Sequence, residues 1–147
     1  MSTAASAVEA ANTALYTAFE TGDLDLMGSL WTDAAEGPAH CVHPGWSPLT
    51  GRSEILRSWA LIMASTAYVQ FIITDVETVL LGDVAVVTCT ENSLSGSEDG
   101  STLAGGHTVA TNVFLLRDGV WRIWLHHASP VLGQLADGKP DDDREGQ

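Results

Sequence analysis

The spacing of apolar residues changes once along this chain, after Ala67, and that change limits what it can fold into. Before it, apolar side chains recur at the roughly 3.6-residue period of amphipathic helices; after it they alternate, and β-branched residues dominate. Val8, Ala11, Leu15 and Phe19 form one helical stripe that Gly22 stops. Asp23 is a good N-cap for a second helix carrying Leu24, Met27, Leu30 and Trp31 on one face. Gly51 opens a third, with Ile55, Trp59, Ile62 and Met63 on its stripe. The stretch 33–50 between them, with three prolines and two glycines, reads as a loop.

The alternating half predicts strands over 68–81, 84–93, 107–117 and 120–129. Gly82-Asp83 and Asp118-Gly119 are two-residue hairpin signals, and the Gly- and Ser-rich segment 94–106 reads as a mobile connection. Helices followed by a long antiparallel meander describe an α+β domain, with three N-terminal helices packed on one face of a curved antiparallel sheet. The domain is expected to span residues 1–132, followed over 133–147 by an acidic tail predicted to be disordered.

Charge narrows the range of partners. There are 19 acids against 6 bases, net −13, with no Lys or Arg before Arg52 or between Arg57 and Arg117. With no basic face to neutralise phosphates, nucleic-acid and anionic-membrane partners are not expected. No apolar run approaches the about 18 residues of a membrane span, and the expected location is cytoplasmic. Cys41 and Cys89 form no metal or redox motif and are expected to be buried thiols.

If Asp118-Gly119 is a two-residue turn, Arg117 faces Val120 and the register of the last hairpin follows. One face then carries Thr108, Ala110, Asn112, Phe114 and Leu116 opposite Ser129, His127, Leu125, Ile123 and Trp121. It is apolar near the turn and polar at the far end, the gradient expected of a ligand-cavity wall. The other face carries Val113 and Leu115 against His126, Trp124 and Arg122. That second face is too apolar to be simply wet and predicts a twofold-related copy, a homodimer, as its cover.

The loop His40-Cys-Val-His-Pro-Gly-Trp-Ser-Pro adds candidate chemistry. Pro44 holds His43 extended before a turn at Gly45, and a fixed imidazole beside an apolar pocket can act as a general base. The alternative is that the loop only caps the sheet. Glu91, near the end of a long strand, is a further candidate acid or base. His40, His43, His126 and His127 make no metal-ligand spacing, so no metal is expected.

The strings Gly22-Asp-Leu-Asp25, His43-Pro-Gly-Trp46, Gly51-Arg-Ser-Glu-Ile55, Ala110-Thr-Asn-Val-Phe114 and Trp121-Arg-Ile with His126-His-Ala-Ser-Pro130 resemble the NTF2-like superfamily. The likeness, over roughly residues 5–132, is to its SnoaL-like and ketosteroid-isomerase-like branch and implies the cystatin-like cone. In the steroid isomerases a carboxylate base precedes a proline after the second helix, and the matching position here is His43. The oxyanion-hole acid of that family finds its nearest match at Asn112. The family's helix-one tyrosine falls at Leu15, with Tyr16 one position on and expected on a different face. The closing His-His-Ala-Ser-Pro also resembles bacterial proteins likened to the association domain of calcium/calmodulin-dependent kinase II, whose role is assembly.

Two functions follow. The first is a lyase or isomerase, of dehydratase or ketosteroid-isomerase type, working without a cofactor on a small apolar molecule. His43, His127, Asn112 and Glu91 would be its catalytic groups, and Trp46, Tyr16, Phe71, Thr108 and Ser129 its substrate contacts. The second is a non-catalytic ligand-binding or association module. An open cavity favours the enzyme; one plugged by Trp46 or Phe71 favours the module.

Overall fold

The computed structural model describes residues 3–33 and 37–132; the expected acidic tail lies outside them. Three helices come first, α1 (Ala4–Thr21), α2 (Leu24–Leu30) and α3 (Arg52–Ala64). Gly22 ends α1 in the left-handed conformation, and the Asp23 carboxylate caps α2 by accepting from the Leu26 amide at 2.9 Å. Two short strands interrupt the expected loop, β1 (His40–Val42) and β2 (Leu49–Thr50).

The meander follows as β3 (Tyr68–Leu81), β4 (Val84–Gly96), β5 (Leu103–Arg117) and β6 (Val120–Pro130). The segment expected to be a mobile connection is therefore largely ladder: Leu94 pairs with Gly105 and Gly96 with Leu103. Gly96, Gly105 and Gly106 are sheet residues, and a Cβ at Gly106 would come within 3.0 Å of the Ser93 hydroxyl. The sheet order is β2-β1-β6-β5-β4-β3, antiparallel except where β1 runs parallel to β6. This is the α+β, three-helix, curved-sheet cone expected from the sequence.

The predicted Asp118-Gly119 turn is present with positive φ at both residues, and Arg117 faces Val120. The expected register holds only as far as Phe114 opposite Ile123. There β6 bulges at Trp124, so that Val113 pairs with Leu125 and Asn112 with His126. The bulge falls where β6 changes its other neighbour: the Thr32 amide bonds to the Ile123 carbonyl, whereas Leu125 to His127 pair with β1. One extra residue exchanges the two faces beyond it. His126 turns inward, and His127 and Ser129 turn outward, the reverse of the expectation.

The inner face is filled near the turn and hollow at the far end. Ala85, Val87, Phe114 and Ile123 pack with Val8, Leu15, Met27, Trp31 and Ile55 into a continuous core. Burial of side chains of this size is the main term holding the helices on the sheet, at about 25 cal/mol per Å² of apolar surface. Beyond Cys89 the inward residues of β4 become Glu91, Ser93 and Ser95, too polar and too small to continue that packing.

Candidate functional site

The hollow is a cavity of about 340 Å³. Tyr16 and Phe19 of α1 and Trp59 and Ile62 of α3 form one wall, and the sheet supplies Phe71, Glu91, Thr108 and His126. His43, Pro44 and Trp46 close the side beneath β1. The rings meet edge to face or tilted: His43 lies 4.7 Å from Trp59 and 4.9 Å from Trp46, and Phe71 lies 5.3 Å from both Tyr16 and Phe19 between centroids.

One hydrogen-bonded chain runs across the floor. Glu91 is 6% exposed and accepts at both oxygens, from the Tyr16 hydroxyl at 2.6 Å and the Thr108 hydroxyl at 2.5 Å. Acceptance at both oxygens is the pattern of a carboxylate. Asn112, fully buried behind the cavity wall, donates to Asn12 Oδ1 at 2.8 Å and to the Tyr16 oxygen at 3.3 Å. Its carboxamide oxygen lies 2.6 Å from His126 Nδ1 and can only accept, so Nδ1 carries the proton and Nε2 the lone pair.

His43 is held in the opposite tautomer. The Ser58 hydroxyl donates to the Ile55 carbonyl at 2.6 Å and therefore accepts from His43 Nε2 at 2.8 Å. The lone pair sits on Nδ1, which lies 3.8 Å from the Cys41 sulfur, a weak partner that is 3.6 Å from Nε2. The two imidazole centroids are 6.4 Å apart.

Burial sets the charge states. It lowers the His43 pKa to about 4, aided by repulsion from His126 and opposed by the negative charge of Glu91. It lowers His126 to about 4 as well, aided by His127. Tyr16 is held far above the ordinary phenol range, first by burial and then by the Glu91 carboxylate. Burial pushes the Cys41 thiol up to about 12 and raises Cys89, so both free cysteines are inert thiols as expected.

Of the nine site residues expected from the sequence, six line the cavity: His43, Glu91, Trp46, Tyr16, Phe71 and Thr108. Asn112 stands behind it and acts through His126 and Tyr16. His127 and Ser129 are exposed on the outer face, carried there by the bulge. The residue missed is His126, expected on the dimer face but 3% exposed and turned inward. Trp59, read only as core, also walls the cavity. Tyr16 faces inward, although its position one residue past the family's tyrosine suggested another face; α1 presents both Leu15 and Tyr16 to the interior. Among the described residues no three His, Cys, Asp or Glu side chains are grouped to hold a metal. Among them, too, no helix is long and apolar enough to cross a membrane.

The sequence model of the SnoaL-like domain matches residues 8–133. A solved structure from Streptomyces avermitilis, described as a candidate dehydratase of the NTF2-like family, is 48% identical with a TM-score of 0.81, over 88% of this chain and 97% of that one. A second, from Thiobacillus denitrificans, described as a candidate calcium/calmodulin-dependent protein kinase type II association domain, is 28% identical with a TM-score of 0.72, over 84% of this chain and 94% of that one. The F-box protein SKIP8 of Arabidopsis thaliana is 28% identical over 126 residues, 86% of this chain and 50% of that protein. The chain thus spans about half the length of the curated relative it matches. With the family match running from α1 to the end of β6, this chain belongs to the SnoaL-like branch of the NTF2-like superfamily.

Proposed function

We propose that the cavity is a small-molecule site that catalyses proton transfer without a cofactor, as a lyase of dehydratase type or an isomerase. The observation that carries this reading is the pair of opposed tautomers: His43 and His126 each have one nitrogen tied to the protein and a lone pair left on the other. Two neutral imidazoles on one apolar cavity are proton acceptors at neutral pH. The catalytic role expected for His127 passes to His126, with Asn112 as its positioning residue.

In a dehydration, one imidazole takes the proton from the carbon beside a carbonyl. The electron pair forms the carbon–carbon double bond as the β-hydroxyl departs, and the imidazolium returns its proton to that hydroxyl, so water leaves and the histidine is restored. In an isomerisation the proton returns to a different carbon instead. Glu91 favours the transient imidazolium on His43, since its charge acts against burial there. The open cavity, with Trp46 and Phe71 in its walls instead of its interior, favours an enzyme over a plugged module. So does 48% identity to a structure described as a candidate dehydratase.

The test is a panel of cyclic β-hydroxy ketones and unconjugated enones, followed by the ultraviolet absorption of the conjugated product. Turnover by the native chain should fall at least 100-fold in both His43→Ala and His126→Ala while each keeps a cooperative thermal transition. Activity that survives both changes removes the proton-transfer role.

A second reading, assembly, has its own support. Ile72, Val79, Leu81, Leu94, Leu103 and Val109 share the outer face and are exposed, Ile72 by 69%. We place the homodimer contact on these β3–β5 residues, away from the β6 side first expected. Of the residues named for it, His126 is internal, Leu115 is buried and Trp124 packs on His40 at 5.1 Å; Val113 and Arg122 remain on the outer face. Sedimentation should give a dimer for the native chain and a monomer for Val109→Glu; a monomeric native chain ends this reading.

A further inference from the structure

The hydrogen-bonding inventory of the cavity is one-sided. Apart from the indole N–H of Trp46, whose residue is 42% exposed, its donors are engaged within the protein: the Tyr16 and Thr108 hydroxyls on Glu91, the His43 Nε2 proton on Ser58, and the Thr66 hydroxyl on the Ile62 carbonyl. The His126 Nδ1 proton is engaged behind the wall on Asn112. The Trp59 indole N–H has no partner and is buried from solvent. Acceptors are what remain: the lone pairs of His43 Nδ1 and His126 Nε2 and the remaining lone pairs of the Glu91 carboxylate. Only the hydroxyls of Ser93 and Ser95 can serve in either sense.

The charge inventory is equally one-sided. Glu91 is a buried carboxylate whose hydrogen bonds come from neutral hydroxyls, and among the described residues lining the cavity there is no Lys or Arg. The imidazoles do not supply the missing charge, since burial keeps both neutral at pH 7. A buried charge without a counter-charge costs free energy that a cationic ligand would recover. The walls suit such a ligand: Tyr16, Phe19, Trp46, Trp59 and Phe71 surround the space with ring surfaces, and a cation within about 6 Å of a ring centroid is attracted to its face. A carboxylate or phosphate ester would meet like charge at Glu91, with only neutral donors such as the Ser93 and Ser95 hydroxyls and no cation to receive it.

We propose that the cavity selects an apolar, ring-sized amine, bound as its monocation with the nitrogen held at Glu91, and that it rejects anions. This rests on reading the cavity as a small-molecule site and names the class of molecule it takes.

Isothermal calorimetry on the full chain tests it with three probes of one skeleton: 1-naphthylmethylamine, 1-naphthylmethanol and 1-naphthoate. Measurements at pH 7.5 and about 0.15 M salt screen the acidic surface. The amine should bind at least tenfold more tightly than the alcohol, and the carboxylate should give no binding heat. Glu91→Gln should bring the amine to the level of the alcohol and leave the alcohol within twofold. If the alcohol or the carboxylate binds as well as the amine, the charge preference is wrong and the small-molecule reading survives. If Glu91→Gln keeps the tenfold preference, Glu91 is not its source and the proposal fails. If none of the three binds, both the preference and the small-molecule reading fall. The native ranking is decisive by itself should Glu91→Gln not fold.

Discussion

His126 Nδ1 donates to the Asn112 carboxamide oxygen across 2.6 Å, from one strand to the next, and this contact holds the imidazole in a single tautomer. The carboxamide is saturated on its other side, donating to Asn12 and to Tyr16. Asn112 therefore ties the histidine to the tyrosine, and through it to Glu91, without adding charge. Neutrality matters because a carboxylate in the same place would stabilise the imidazolium and take away the lone-pair base.

Asn112→Asp tests that point. The new carboxylate would face His126 Nδ1 and raise its pKa from about 4 to or above the ordinary histidine range. Loss of the two donated bonds should cost about 1–3 kcal/mol of stability. Histidine ring resonances followed by NMR against pH report the change directly; an unchanged His126 titration would mean that the contact does not set its charge state.

The two depressed histidines also make stability depend on pH. Each titrates near 6.5 when unfolded and near 4 when folded, so the unfolded chain binds more protons between those values. Their contribution is complete above about pH 6.5 and is lost progressively as pH falls toward 4, a loss of about 3 kcal/mol for each histidine, since each pH unit between the two values is worth about 1.4 kcal/mol per histidine. Thermal melts from pH 8 to 4 should show Tm falling over that window, with a shallower slope in His126→Gln. A Tm independent of pH between 6.5 and 4.5 would contradict the buried, neutral assignment.

Much of this was legible in the residues, for identifiable reasons. The change of period after Ala67, the Gly22 and Asp23 caps and the Asp118-Gly119 turn act locally, and local chemistry specifies helices, hairpins and the cone they make. His43 was legible because Pro44 constrains the backbone beside it. The bulge at Trp124 was not, because it depends on β6 meeting Trp31 and β1 across the sheet, contacts between residues far apart in sequence. The adjacent apolar residues Trp124 and Leu125, which break strict alternation, were the only sequence signal of it. Missing it exchanged His126 for His127.

Ser58→Ala should separate positioning from packing at His43. The serine hydroxyl is the acceptor that keeps the His43 proton on Nε2, and its loss frees the ring to change tautomer or turn. The expected cost in stability is about 1 kcal/mol, the usual worth of one such bond. Turnover on any substrate found by the panel should fall tenfold or more in kcat with KM little changed, and Ser58→Thr should restore part of it. Equal kcat in Ser58→Ala and the native chain would show that the tautomer is not needed.

The neighbouring histidines give the sharpest contrast. His126→Ala removes a ring that is 3% exposed, leaves the Asn112 oxygen without its donor and opens space beside Trp59, whose ring centroid is 6.2 Å away. The change should cost about 2–4 kcal/mol and abolish turnover. His127→Ala removes an exposed ring on the outer face and should alter stability by no more than about 0.5 kcal/mol. It should not be wholly silent, because His127 helps to hold His126 neutral: removing it should move the His126 titration slightly upward. Without the bulge the roles of the two residues would be exchanged. Measured in parallel by thermal melts and histidine NMR, a buried, low-pKa response at residue 127 and a silent residue 126 would overturn the register on which the site is built.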